Sequence, residues 1–218
     1  MKLKICGITN LNDLKLCHQY NCDYIGFNFY KKSKRYIETK KYLEISKGLD
    51  ISKNVGIIVN ESISSVMKII NDTHIEIIQL HSDEDNSYID KIRKNTNIKI
   101  IKVFRIKNNL TEAFFNIEIK PLIDNETIDY FLLDKYKSNS YGGTGESFNW
   151  KNLKTIIPKK YLREKLFFSG GITVKNYLDA IKINPYCIDI ASSSEEKPGK
   201  KSEQKIKYFS EFKNKIPY

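Results

Sequence analysis

The chain has 218 residues, of which 40% are hydrophobic and 29% charged, and its formal net charge is +11. This length fits one large domain or two small ones, and α/β barrels commonly span about 200–250 residues. No run approaches the roughly 18 uninterrupted apolar residues of a membrane helix, and the first residues lack the apolar core of a signal peptide. We therefore expect a cytoplasmic protein that has no membrane partner.

The positive charge is one feature of nucleic-acid-binding proteins, whose basic residues usually gather into a footprint. Here the 37 Lys and Arg residues are scattered through every segment. Scattered positive charge favours attraction of an anionic small-molecule substrate over nucleic-acid binding. A basic nucleic-acid-binding protein is kept as the alternative from a different class.

Eight short apolar runs, rich in β-branched residues, predict strands buried on both faces of a parallel sheet. They are Lys2–Ile8, Tyr24–Phe29, Asn54–Val59, Ile75–His81, Ile98–Ile106, Ile128–Asp134, Leu166–Gly171 and Tyr186–Ala191. Amphipathic segments between and after them predict helices at Asn10–Tyr20, Thr39–Gly48, Ser62–Thr73, Ser82–Asn95, Asn109–Ile123, Asn149–Pro158, Thr173–Ile183 and Ser202–Ile216.

Eight strand–helix units without a leftover strand pair predict an α/β fold, a parallel eight-stranded (β/α)8 TIM barrel. No linker or composition shift marks a second domain, so residues 1–218 are predicted to form a single barrel domain. An open doubly wound sheet is the alternative architecture. The first strand, however, is not followed by a Gly-rich dinucleotide fingerprint.

The carboxyl ends of the strands carry the active site in such barrels. The candidates at these ends are Cys6, Arg35, His81, Asp134, Ser169, Gly170, Gly171, Ser192 and Ser193. The small-residue turns after the last two strands predict phosphate binding by backbone N–H groups.

Cys6 and Asp134 are the candidate acid–base pair. A free thiol has a pKa of about 8.5, so a base role requires nearby positive charge, for which Arg35, Lys4 and Lys102 are candidates. Asp134 precedes a long Gly-rich loop that we expect to cover the carboxylate and exclude water. A thiol base opposite a carboxylic acid suits isomerisation by proton transfer, and a nucleophilic Cys6–His81 dyad is the weaker alternative.

The sequence resembles the phosphoribosylanthranilate isomerase family nearly end to end. The resemblance is carried by Lys4–Thr9, Asp23–Phe29, Ser33–Arg35, Val55–Val59, Gln79–His81, Leu133–Asp134, Gly142–Gly145, Phe148–Trp150, Ser169–Ile172, Ile188–Ile190, Glu195, Pro198–Gly199 and Lys201. It implies the Amadori rearrangement of N-(5-phosphoribosyl)anthranilate in tryptophan biosynthesis. It also implies that neither a metal nor an organic cofactor takes part.

By this resemblance Asp134 is the general acid that protonates the ribose ring oxygen, and Cys6 is the general base that removes the C2 proton. Arg35 contacts the anthranilate carboxylate, and the turns at Ser169–Gly171 and Ser192–Ser193 hold the phosphate. His81 and Gly143 complete the predicted substrate-binding residues. The protein is expected to be a monomer or a homodimer.

Two residues depart from the family pattern. Ser193 stands where the family has glycine, and a serine there is strained if the backbone requires positive φ. Asn149 stands where the family has aspartate, and we expect it to cap a helix. Another phosphosugar barrel enzyme, such as an aldolase or indole-glycerol-phosphate synthase, would need a buried lysine; Lys4 and Lys102 lie on strands, without accompanying glutamates.

Overall fold

A computed structural model describes residues 1–136 and 149–213. Eight parallel strands close into a barrel in chain order, because β8 pairs with β1 as well as with β7. The strands are β1 (Lys2–Cys6), β2 (Tyr24–Asn28), β3 (Asn54–Ile58), β4 (Ile77–Leu80), β5 (Lys99–Ile106), β6 (Tyr130–Lys135), β7 (Leu166–Phe168) and β8 (Cys187–Ile190). The predicted (β/α)8 barrel is confirmed.

Helices cover the outside of the barrel. They are α1 (Leu11–Gln19), α2 (Thr39–Ser46), α3 (Ile63–Thr73), α4 (Asn86–Asn95), α5 (Glu112–Phe114), α6 (Lys120–Asp124), α7 (Leu153–Ile156), α8 (Lys159–Lys165), α9 (Tyr177–Lys182) and α10 (Glu203–Phe212). Their apolar faces pack on the strands through Leu14, Cys17, Tyr42, Val66, Ile89, Ile92, Tyr177, Ile206 and Phe209. None of the helices in the described ranges is long and apolar enough to cross a membrane.

Four predicted helices differ from the structure, and the one predicted from Ser82 begins at Asn86. The segment predicted as Asn109–Ile123 is divided into α5, a π-helical turn at Phe115–Ile119, and α6, which has a proline in its first turn. Asn149 does not cap a helix: its Oδ1 accepts from the N–H of Lys151, a local turn that delays α7. The helix predicted from Thr173 begins later, at α9.

The prediction of no leftover strand pair is wrong. After β8 a 3-10 helix (Ser192–Ser194) leads into an antiparallel hairpin of β9 (Glu195–Lys197) and β10 (Lys200–Lys201). These strands have only three and two residues, all of them charged, so they lack the apolar alternation that identifies a strand. The hairpin is nevertheless central to the site described below.

The barrel interior is filled in layers by alternate residues of the strands. A separate apolar cluster near the amino ends of the strands consists of Val55, Ile77, Ile101, Val103, Leu132, Phe167 and Cys187, with Tyr24, Tyr130 and Tyr186 packed against it. Polar side chains take over toward the carboxyl ends. Cys17, Cys22 and Cys187 are buried, whereas Cys6 is partly exposed.

Candidate active site

Cys6 is the last residue of β1, and the neighbouring strand leaves room for its thiol. Gly26 of β2 lies beside Cys6 in the parallel register. A Cβ atom at position 26 would lie 2.9 Å from the Cys6 Sγ, closer than two such atoms normally approach. Gly26 therefore belongs to the site, although the sequence analysis did not select it. A lone glycine inside an apolar strand is the sequence feature by which such a close approach can be found.

Arg35 lies next to Cys6, held in place by the hairpin. Its Nε donates to Oε1 of Glu195 at 2.6 Å and its Nη2 donates to Oε2 at 2.7 Å. The arginine side chain also lies against Gly7, whose φ is +88° and where an added Cβ would collide with the Arg35 Cδ. Glycine at position 7 is thus needed both for the turn after β1 and for the course of Arg35.

Lys201 joins three parts of this site. Its fully buried ammonium donates to the Cys6 carbonyl at 2.6 Å, to the Ala191 carbonyl at 3.2 Å and to Glu195 Oε1 at 3.2 Å. The hairpin thereby ties the ends of β1 and β8 to the Arg35 ion pair. Sequence reasoning included Glu195 and Lys201 in the resemblance but missed their place in the site, because the hairpin that carries them was not predicted.

Burial raises the pKa of the Cys6 thiol, and Asp189 adds to that rise. The positive charges of Lys4, Lys201 and Arg35 oppose it without cancelling it. Lys4 and Arg35 thus act in the expected direction, and Lys201 joins them. Burial also disfavours the ionised form of Glu195, but the hydrogen bond and charge of Arg35, with Lys201, lower its pKa overall.

Lys102 was a candidate source of positive charge beside Cys6, but it pairs with other groups. Its ammonium donates to Glu84 Oε2 at 2.8 Å and to the Ser82 carbonyl at 2.7 Å. The expectation that no glutamate accompanies the strand lysines is therefore wrong for this one. Glu84 follows β4 and Lys102 lies on β5, so the barrel register brings together residues that the sequence separates.

Asp134 occupies the carboxyl end of β6, and its side chain is buried. Its Oδ1 accepts from the N–H of Lys135 at 2.8 Å, and its Oδ2 lies 3.5 Å from the Nε2 of His81. His81 thus lies beside the candidate acid, which favours a partnership with Asp134 over a Cys6–His81 dyad. Gly143, with the rest of the predicted cover at 137–148, lies outside the described residues.

The turns after β7 and β8 meet each other. Gly170 and Gly171 have φ of 91° and 70°, a conformation that few other residues adopt. The Ser193 hydroxyl donates to the Ile172 carbonyl and links the two turns. Ser193 lies in the 3-10 helix and is not among the non-glycine residues with positive φ, so serine is unstrained there. Within the described ranges, the backbone N–H groups of Gly170, Gly171, Ser192 and Ser193 have no hydrogen-bond partner.

The candidate side chains gather at one end of a closed barrel: Cys6 ends β1, Asp134 lies near the end of β6, and the Arg35–Glu195 pair lies beside the thiol. The turns after β7 and β8 lie at the same end. In the described segments no group of three or more His, Cys, Asp or Glu side chains is placed to hold a metal ion. The fold and this site define a TIM-barrel enzyme. The family model of N-(5'-phosphoribosyl)anthranilate (PRA) isomerase matches residues 3–212, and the chain belongs to this family.

Individual relatives agree with the family assignment. The N-(5'-phosphoribosyl)anthranilate isomerase of Aquifex aeolicus is 37% identical over 212 residues, which cover 96% of both chains. The crystal structure of phosphoribosyl anthranilate isomerase from Thermotoga maritima is 29% identical, with a TM-score of 0.81 over 99% of this chain and 100% of that one. A similar structure holds reduced 1-(o-carboxyphenylamino)-1-deoxyribulose 5-phosphate, with 28% identity, a TM-score of 0.77 and the same coverage.

Proposed function

We propose that this chain catalyses the Amadori rearrangement of N-(5'-phosphoribosyl)anthranilate to 1-(2-carboxyphenylamino)-1-deoxyribulose 5-phosphate, a step of tryptophan biosynthesis. The observation that carries the proposal is the family match from residue 3 to residue 212, which includes both Cys6 and Asp134. The placement of this thiol and this carboxyl group at one barrel mouth supports it, because the reaction needs an acid and a base on one substrate.

Asp134 donates its proton to the ribose ring oxygen as the C1–O bond breaks, and the aniline nitrogen becomes an iminium. The Cys6 thiolate then removes the C2 proton, and the electrons of that C–H bond neutralise the iminium to give an enolamine. The enolamine gains a proton at C1 and loses the proton of its C2 hydroxyl, which yields the ketone. No atom is gained or lost overall.

Arg35 is the proposed partner of the anthranilate carboxylate. Glu195 uses two of the five N–H groups of its guanidinium, which leaves others to form a second pair. Arg35, Lys201 and Glu195 together retain one net positive charge, and this charge matches a single carboxylate. Glu195 thus orients the arginine without cancelling its attraction for the substrate.

The substrate phosphate is proposed to bind the turns after β7 and β8. The N–H groups of Gly170, Gly171, Ser192 and Ser193 form two adjacent sets of donors, and the Ser193 side chain holds the turns together. Ser169 belongs to the same turn, and its own N–H donates to the Leu133 carbonyl. Ser169 therefore contributes its hydroxyl, while its backbone fixes the start of the turn.

His81 and Gly143 are the remaining proposed substrate-binding residues. We further propose that residues 1–218 act as a single barrel domain in the cytoplasm. The ligand would be a small phosphorylated molecule and not nucleic acid, and the assembly a monomer or homodimer. The proposed mechanism itself assigns no step to a metal or organic cofactor.

The test is the loss of substrate fluorescence when the purified protein is added to N-(5'-phosphoribosyl)anthranilate. We expect a decay whose rate is proportional to protein concentration. A rate equal to that of buffer alone would refute the proposal. Binding of an unrelated duplex DNA that weakens steeply with added salt would favour the nucleic-acid alternative instead.

A further inference from the structure

Five buried polar side chains form a row across the barrel interior, just below the mouth. They lie on β8, β1, β4 and β6 or directly after them, and each is at most 7% exposed: Asp189, Lys4, Gln79, His81 and Asp134. Such groups are costly to bury unless each finds a partner. The hydrogen-bond partners of these side chains therefore indicate which ring nitrogen of His81 carries a proton.

Close contacts link the row from Asp189 to His81, and a gap separates His81 from Asp134. Lys4 Nζ lies 3.0 Å from Asp189 Oδ2 and donates to Gln79 Oε1 at 2.5 Å. The Gln79 Nε2 lies 3.0 Å from His81 Nδ1. The His81 Nε2 faces Asp134 Oδ2 at 3.5 Å and has no hydrogen-bond partner in the described parts of the chain.

The donor and acceptor roles of Gln79 and His81 in this row are determined by Lys4. An ammonium group has only donors, so Gln79 must present its amide oxygen to Lys4. The amide nitrogen, which has only donors, is thereby directed at His81. The Nδ1 of His81 must then be an acceptor without a proton, and a neutral imidazole carries its proton on Nε2.

This tautomer decides where the Asp134 proton points. An Nε2 with a lone pair would accept a hydrogen bond from the protonated carboxyl group and draw the acid's proton away from the barrel mouth. An Nε2–H group offers no acceptor while Asp134 is protonated. Once the proton has left, the same N–H group can close the 3.5 Å gap and donate to the new carboxylate.

We propose that Gln79, oriented by Lys4, is a positioning residue that fixes the neutral Nε2–H tautomer of His81 and so directs the Asp134 proton toward the substrate. The catalytic part of this inference rests on the proposed function, in which Asp134 is the acid. The tautomer itself is a property of the free protein and does not depend on any substrate.

The direct test is the ¹⁵N spectrum of the imidazole rings in the uniformly labelled protein. The chain has three histidines, and the loss of one ring in a His81→Gln variant assigns the signals of His81. We expect protonated Nε2 and unprotonated Nδ1 in the wild-type protein near neutral pH. The Nδ1–H tautomer in that spectrum would overturn the proposal without any variant being needed.

The kinetic test is Gln79→Glu, which keeps the shape and the acceptor for Lys4 but replaces the donor to His81 by a second acceptor. A proton is then favoured on Nδ1, and the neutral Nε2–H tautomer should disappear from the spectrum. We expect kcat to fall roughly 10- to 100-fold, the loss typical of one hydrogen bond to a charged group. Any rise in KM should be smaller than the fall in kcat, because Arg35 and the turns after β7 and β8 keep their proposed contacts with the substrate.

Asn54→Asp is the matched control, since Asn54 is an equally buried strand amide whose Nδ2 donates to the hydroxyl of Tyr42 outside the row. It should lower thermal stability while leaving kcat and the His81 tautomer unchanged. A folded Gln79→Glu protein with wild-type kcat would refute the positioning role. Absence of turnover in the wild-type protein would instead refute the proposed function, and the ¹⁵N spectrum would still decide the tautomer.

Discussion

The two ends of the barrel interior are filled by opposite chemistry. Toward the amino ends of the strands, Tyr130 stacks on Tyr186 with ring centroids 5.1 Å apart, and Phe167 packs against both. Toward the carboxyl ends, buried charges replace the rings, as in the Lys4–Asp189 pair. Burial of apolar surface stabilises the amino end. At the carboxyl end, desolvation of charged groups is destabilising, and only close pairing of opposite charges offsets it.

The same contrast is visible in two thiols of one barrel. Cys187 begins β8 among the apolar cluster, and burial raises its pKa well above the ordinary value. Lys4 and Lys2 oppose that rise only in part. Cys6 ends β1, where Lys4, Lys201 and Arg35 oppose the same effect of burial and its pKa is raised less. One residue type therefore has a packing role at one end and a proposed chemical role at the other, and variants at both ends can test this division.

The largest expected effect follows removal of the acid or the base. Cys6→Ser and Asp134→Asn should each lower kcat by about 10²–10⁴-fold, the usual contribution of a general acid or base. Cys187→Ser is the matched control and should lower stability without changing kcat. Steady-state turnover of the three variants measures this. Equal losses in Cys6→Ser and Cys187→Ser would show that the two ends are not divided as proposed.

Next in size is the loss of an aromatic ring at the amino end. Phe167→Ala should reduce the free energy of unfolding by about 3–5 kcal/mol, because a fully buried ring is replaced by a cavity. Urea denaturation measures the change. At a temperature where the variant is folded, kcat should equal that of the wild type. A large fall in kcat of the folded variant would mean that the apolar end also sets the geometry of the mouth.

A smaller effect is expected for substrate binding. Arg35→Met should raise KM roughly 10- to 100-fold through loss of a charge-assisted pair with the substrate carboxylate. Arg93→Met provides the control, since Arg93 forms a comparable pair with Asp129 at the start of β6, on the opposite side of the barrel. That variant should lose stability and keep its KM. If KM rises equally in both variants, the assignment of Arg35 to the substrate is wrong.

The smallest expected effect is the dependence of kcat/KM on pH. Because burial raises the pKa of Cys6 and a base must be deprotonated to act, kcat/KM should keep increasing with pH beyond the ordinary thiol value of about 8.5. A pH profile at constant ionic strength measures this. In Cys6→Asp the base is a carboxylate, so the remaining activity should lack the alkaline rise. A wild-type profile that is already flat below neutral pH would contradict the thiol as the base.

Much of the fold follows from local sequence. The apolar, β-branched runs predict all eight barrel strands, with ends displaced by only a few residues, as in Ile75–His81 against the observed Ile77–Leu80. Helix boundaries were less predictable, because Asn149 and Thr173 form local turns before their helices begin. The hairpin of β9 and β10 escaped prediction because its short, charged strands are held by side-chain pairs and not by an apolar face.

The sequence by itself determined which residues stand at the strand ends, since strand period and turn composition are local properties. Only the tertiary structure decided which of these side chains contact one another. Glu195 reaches Arg35 across 160 positions of the chain, and Lys4 reaches Gln79 across 75. The pKa of Cys6 and the tautomer inferred for His81 depend on such distant contacts. Burial and Coulomb interactions act through space, and only closure of the barrel sets those distances.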